Sequence, residues 1–445
     1  MKGTRHLTPT LSPDASGERG SRALGLWGAA ALVVGNMIGS GIFLLPASLA
    51  PFGMASLYGW IFSTTGALLL ALVFARLAQR HPVSGGPYAY AHLAFGDFAG
   101  FVMAWSYWIS VWCAAAAIAV GFAGSMSALW PTLGGAYALP VALAVLWLAT
   151  VTNLVGVRFA GRAQIALTAL KIAPIAFVIG VGAFALDTHS FTPFNPSGRG
   201  VIDLTTATAA LTLWALQGLE CATIPAEHVE NAERAIPRAT VLGVAFAAII
   251  TVAACTIVLG LVPLDTLKDS TAPFADAARR LWGEGAAHAM AGAMALSCWG
   301  ALNGWVLVQG QIPLAAARDG LFPTLFARTD AHGTPRIGLV VGSVLASALI
   351  YANFVGSLVS VFTASVLIAT AAALLPYVFS AAALVRLEPR EADRRNWRIV
   401  VALLALVYGV WALIGAGIEP LAWCAGLIVA GIPVYLWQRF GKRDF

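Results

Sequence analysis

The chain is poor in charge. Only 10% of its 445 residues are Asp, Glu, Lys or Arg, while 59% are hydrophobic. A water-soluble domain carries about 25% charged residues, so a soluble globular protein is excluded and an integral membrane protein is implied. Cysteine is sparse as well. The five thiols (Cys113, Cys221, Cys255, Cys298 and Cys424) are scattered, mostly within apolar segments, with no C-x-x-C pair. That spacing argues against a metal site or a disulfide framework. The sequence also lacks a Walker-A lysine loop, a His-Glu-x-x-His motif and an acid pair, and His81, His92, His228 and His332 are spread through loops. An integral-membrane enzyme would need such a cluster, so no catalytic residue, cofactor or metal is expected. A channel would present repeated polar or charged pore faces, which are missing too. The net charge of +6 would suggest a nucleic-acid partner in a soluble protein. Here the charges have a better use in fixing topology, and no nucleic-acid partner is expected.

What the chain has in abundance is long apolar segments. A spanning helix needs about 20 apolar residues, and about twelve segments qualify. They are 24–50, 55–80, 98–129, 139–157, 162–186, 204–228, 236–263, 285–316, 336–353, 356–386, 398–416 and 420–439. The fold class expected is therefore an all-α membrane protein, with one shorter surface helix at 272–283. Residues 1–23 are rich in Ser, Gly and Pro and read as a disordered tail, not as a cleavable signal peptide. An even number of spans puts both termini on one side. Nearly all basic residues then fall on that side, the exceptions being Arg199, Lys268, Arg279 and Arg280 opposite and Lys171 within a span. Positive charge collects in the cytoplasm, so both termini are expected there, with the chain in the inner membrane.

The first apolar segment is interrupted by Gly35-Asn36-Met37-Ile38-Gly39-Ser40-Gly41. Lipid offers no water to a loosened backbone, so such a break is tolerated only where its polar groups face protein or a cavity. Ile38, Ser40 and Gly41 would then offer backbone groups, and Ser40 a hydroxyl, to a ligand at mid-membrane depth. The competing reading is a close-packing face, since Gly35 and Gly39 form a Gly-x-x-x-Gly pair.

Two ionisable residues lie inside spans, Lys171 in span five and Glu220 in span six. An ionisable group at mid-bilayer is costly and marks function by default. Glu220 ends the run Thr212-Leu213-Trp214-Ala215-Leu216-Gln217-Gly218-Leu219-Glu220, again glycine-bearing and polar where plain apolar helix is expected. Spans one and six each open a block of five. Interrupted helices at matching positions of two halves point to an inverted-repeat transporter binding substrate at the repeat interface. The repeats would be 24–186 and 204–386, followed by two additional helices at 398–440.

The run Gly35 to Phe43, then Ser84-Gly85-Gly86-Pro87-Tyr88-Ala89-Tyr90, then Trp214 to Glu220 and Val229 to Thr240, resemble the amino acid–polyamine–organocation (APC) superfamily. The similarity runs from about residue 24 to 440 and is closest to its bacterial basic amino acid/polyamine antiporters, including the arginine/agmatine exchanger. Ala232 stands where the family usually has Pro. The resemblance implies a LeuT-like five-plus-five inverted repeat with discontinuous helices 1 and 6. It also implies a substrate carboxylate on Ser40 and the amides around Gly41, and an α-amino group on carbonyls at Ile38, Trp214 and nearby span-six residues, including Ala215 and Gly218. Half-helix N-termini favour an anion and carbonyl ends a cation, so a zwitterion suits the arrangement. Trp214 and Trp305 would act as gate or side-chain wall, a tryptophan face being able to hold a cation.

Three alanines depart from the exchanger. Ala115 replaces an asparagine that meets the guanidinium, and Ala369 and Ala215 each replace a serine; Ile118 is taken as a further lining residue. A guanidinium without those partners loses charge-assisted hydrogen bonds of about 1.5–3 kcal/mol each. The expectation is thus a secondary transporter working by alternating access, with proton-coupled uptake or exchange of a neutral or apolar amino acid. The alternative is a basic amino acid/polyamine antiporter keeping Trp305 as its cation contact. Lys171 resembles the lysine of proton-coupled members, which takes the place of a sodium ion; a snorkelling lysine is the competing reading. Glu220 either carries protons or holds the break in span six by hydrogen bonds. The partners expected are an amino acid or amine, a proton and the lipid bilayer, and a homodimer is compatible with the sequence.

Overall fold

The computed structural model describes residues 25–39, 41–83, 85–155, 171–186, 191–224, 229–330, 333–353, 358–388 and 395–440. The expected tail at 1–23, Ser40, Ser84 and the start of span five lie outside the described residues. Every regular element within them is helical. Among the described residues eight helical stretches are long and apolar enough to cross a membrane, and three shorter apolar helices accompany them.

The first apolar segment is split. Helix α1 (Leu26–Met37) stops where Ile38 leaves helical geometry at φ −81° and ψ 76°, its N–H still donating to Val34 O. Helix α2 (Gly41–Leu49) resumes beyond it. A 3₁₀ stretch at Ala50–Ser56 turns at Gly53, whose positive φ leaves no room for a side chain beside Pro196. Helices α3 (Leu57–Arg80) and α4 (Pro87–Phe95) follow, the latter opening on a proline at its first turn, where the missing N–H costs nothing.

Helix α5 (Asp97–Leu129) runs unbroken through the middle of the molecule and packs along both α12 (Glu284–Arg318) and α14 (Leu358–Leu387). It carries Ala114 to Ala117 in a row, all fully buried; small side chains let neighbouring helices approach closely. Helices α6 (Ala138–Val155), α7 (Lys171–Ala185) and α8 (Val201–Trp214) come next.

Helix α8 also ends early. Successive turns carry the chain from Ala215 to Glu220, with Gly218 at φ +101°, into a short 3₁₀ segment at Cys221–Thr223. Helices α9 (Ala232–Leu261), α10 (Leu264–Leu267) and α11 (Pro273–Trp282) follow. Helix α11, where a surface helix was expected, buries Phe274, Ala277 and Ala278 and turns Arg280 outward. Helices α13 (Arg336–Asn353), α15 (Arg395–Gly415) and α16 (Ile418–Phe440) complete the structure. The last two expose Leu403, Val407, Ile414, Trp423, Val429 and Trp437. Such an apolar outer face is stable only against hydrocarbon.

Candidate functional site

The two interrupted helices meet. A Cβ placed on Gly218 would stand 3.1 Å from Asn36 Cβ and 3.3 Å from Met37 N, so glycine is what allows the breaks to touch. Its φ of +101° also lies where a side chain is strained. The α1 break is as close to α12, since a Cβ on Gly39 would reach Ala301 Cβ at 3.0 Å.

Between the breaks lies a cavity walled by Asn36, Met37, Gly39, Ile118, Trp214, Gln217 and Trp305. It offers only about 10 Å³ to the centre of a water molecule, room for about one water. Trp214, Trp305 and Ile118, named from the sequence, are all walls. Asn36, Met37, Gly39 and Gln217 were not named as site residues. Asn36 is buried, and its Oδ1 has no hydrogen-bond partner among the described residues. Gln217 directs its Nε2 to Thr370 Oγ1 at 3.0 Å. The Trp214 indole Nε1 is likewise buried without a partner among the described residues.

The remaining expected residues sit around this cavity. Ile38 is fully buried at the end of α1, and Gly41 is the first residue of α2. Ala215 is buried in the α8 break, and Gly218 lies behind the wall against Asn36. Ala115 and Ala369 are fully buried in α5 and α14 but do not line the cavity.

Lys171 is 2% exposed, and its Nζ donates to Gly35 O at 3.1 Å. That carbonyl lies in the last turn of α1, where carbonyls lose their intrahelical partners. Among the described residues Lys171 has no acidic partner within ion-pair distance. Glu220 is fully buried. Its Oε1 accepts from Tyr107 Oη of α5 at 2.5 Å, and its Oε2 from Tyr377 Oη of α14 at 2.6 Å. Both carboxyl oxygens are thus satisfied, and the break in α8 is tied to the two helices that pack along the molecular centre. A buried carboxyl lacking such partners would be costly.

Two polar arrangements stand off the cavity. Asn153 Nδ2 donates to Asn303 O at 3.1 Å and Oδ1 at 2.8 Å, pinning α6 to α12 two residues before Trp305. Gln309 Nε2 donates to Leu339 O and Ser343 Oγ, both at 3.0 Å, holding α13.

A sequence model of the family described as Amino acid permease matches residues 24–432. The chain is 33% identical over 414 residues to a cadaverine/lysine antiporter of Escherichia coli, which covers 90% of this chain and 92% of that protein. It is 31% identical over 415 residues to the putrescine transporter PotE of Haemophilus influenzae, at 92% and 94% coverage. It is 30% identical over 416 residues to the PotE of Escherichia coli, at 91% and 93%.

Proposed function

The chain belongs to the amino acid permease family, and from that membership we propose that it is an antiporter exchanging a basic amino acid for a diamine across the cytoplasmic membrane. It is a multi-pass membrane transporter, not an enzyme. The observation that carries the substrate class is the makeup of the central cavity. Two indoles and two side-chain amides wall it, and the buried Asn36 Oδ1 has no partner among the described residues, so an ammonium there finds aromatic rings and a free acceptor. A desolvated cation over an indole gains about 2 kcal/mol. The full-length relatives named for lysine, cadaverine and putrescine transport support the same choice.

The neutral-substrate expectation rested on Ala115, Ala215 and Ala369. None of the three lines the cavity, and Asn36 and Gln217 supply polar groups there instead. A neutral amino acid remains the second reading, resting on those alanines by their aligned positions alone.

In this reading the helices form a five-plus-five inverted repeat with two additional helices, and both termini face the cytoplasm. The α1 break, with Ser40 and Gly41, takes the substrate carboxylate, and carbonyls at Ile38 and Trp214 take the α-amino group. Lys171 and Glu220 are the proton-linked residues, Lys171 by releasing Gly35 O as the helices rearrange. A fixed ammonium beside the α1 break disfavours a sodium ion there.

The test is counterflow in proteoliposomes. Vesicles loaded with lysine should accumulate labelled cadaverine or putrescine, and vesicles loaded with leucine should not. Exchange driven by leucine, with none driven by lysine or diamines, would overturn the proposal in favour of the second reading.

A further inference from the structure

A larger cavity, of about 160 Å³, lies away from the substrate site among α3, α9, α14 and α15. It sits at the end of the molecule where α3 finishes and α15 begins. Its walls are apolar, with Leu72 from α3, Leu384 from α14 and Val401 from α15. Its rim is polar, formed by Arg76, Gln79 and Arg398 beside Trp397.

Among the described residues the charge at this rim does not cancel. Glu388 accepts from Arg76 Nε at 3.1 Å and Nη2 at 2.6 Å, and from Arg398 Nη1 at 2.7 Å. Among the described residues two guanidiniums therefore share one carboxylate, leaving a net positive charge. Among the described residues Arg398 commits only its Nη1, to Glu388, which leaves Nε and Nη2 as further donors. Its guanidinium lies 5.8 Å from the ring centroid of Trp397, which is itself 54% exposed. An exposed tryptophan beside arginines is the side-chain pairing found at headgroup depth.

A soluble anion would use the arginines and waste the apolar walls. A zwitterionic lipid would fill the walls and leave the surplus charge unmatched. We propose that this cavity binds one anionic phospholipid, its phosphate against Arg398 and Arg76 and an acyl chain along Leu72, Leu384 and Val401. Basic pockets between spanning helices favour anionic headgroups for this reason. The site joins α3 and α9 to α14 and α15, so an occupying lipid would brace the four helices at one end. The inference rests on the chain lying in a membrane and is independent of which substrate it carries.

The experiment is native mass spectrometry of the full-length, delipidated protein in mild detergent, titrated with palmitoyl-oleoyl-phosphatidylglycerol or its phosphatidylcholine counterpart. The wild type should retain one phosphatidylglycerol in preference to phosphatidylcholine. Arg398→Gln should weaken that lipid roughly fivefold, and Val401→Phe, which fills the apolar wall and leaves the ion cluster intact, should displace it. If Arg398→Gln does not fold, Val401→Phe decides alone. Equal retention of phosphatidylcholine would overturn the proposal, as would unchanged retention in Val401→Phe. Competition by glycerol 3-phosphate as effective as by the lipid would replace it with a site for a soluble anion.

Discussion

Lys171 Nζ donates to Gly35 O at 3.1 Å, so the buried cation of α7 holds the last turn of the first interrupted helix. A proton leaving this ammonium removes the charge that strengthens the bond. Lys171→Ala is expected to abolish the pH dependence of exchange in proteoliposomes. Transport measured across a pH series checks this, and an unchanged profile would remove the proton role proposed for Lys171.

Gly218 should not tolerate a side chain. Its backbone at φ +101° and the 3.1 Å approach to Asn36 Cβ both oppose Gly218→Ala. The strain is expected to cost about 1–3 kcal/mol and to push the two breaks apart. A lowered thermal midpoint with loss of exchange is the expected outcome; normal stability and transport would mean that the breaks need not touch.

Tyr107 and Tyr377 satisfy the two oxygens of Glu220 from different helices. Removing either hydroxyl leaves a buried acceptor unpaired, at about 1–3 kcal/mol. Tyr107→Phe and Tyr377→Phe should each lower thermal stability. Because both act on one carboxyl, the double variant is expected to depart from the sum of the singles by about 0.5–3 kcal/mol. Simple additivity would contradict a shared role.

Trp305 is a cavity wall, and Trp305→Ala should weaken binding of a cationic substrate by roughly 0.5–2 kcal/mol. Thermal-shift titration with lysine and with its uncharged analogue norleucine measures the difference. Equal loss for both would assign Trp305 to packing instead of charge recognition.

Glu388, just past the end of α14, carries the pH prediction. Burial raises its carboxyl, but hydrogen bonds and charge from Arg76 and Arg398 outweigh that and hold it below its ordinary 4.5. A carboxyl lowered in the folded state adds stability at pH values above its unfolded value, and loses it as pH falls through the folded value. The stability deficit of Glu388→Gln should therefore be full at neutral pH and shrink as the solution is acidified below the ordinary carboxylate range. Thermal midpoints of the two proteins across that range check it.

The interruptions were legible because glycine is conspicuous in an apolar run. Gly35 to Gly41 and Gly218 stood out against their flanks, as did Lys171 and Glu220 as ionisable residues in lipid-length segments. Their partners were not legible. Tyr107 and Tyr377 lie 113 and 157 residues from Glu220, and nothing local marks either as its donor. In the sequence Asn36 marks only a loosened backbone and Gln217 one polar residue in a broken run; only the packing of α1 against the end of α8 turns both toward one cavity. Ala115 and Ala369, aligned with substrate-contacting positions, do not line the cavity in this conformer. An aligned position fixes a helix and a level on it, but which side chains reach the cavity depends on how far the helices have closed.

That degree of closure has a consequence for measured affinities. With space for about one water between Trp214 and Trp305, this conformer is too tight for an amino acid or a diamine. A dissociation constant then reports the intrinsic contacts divided by the fraction of molecules that have opened. Ile118→Ala trims a cavity wall and, by easing that opening, would tighten apparent binding while adding no contact at all.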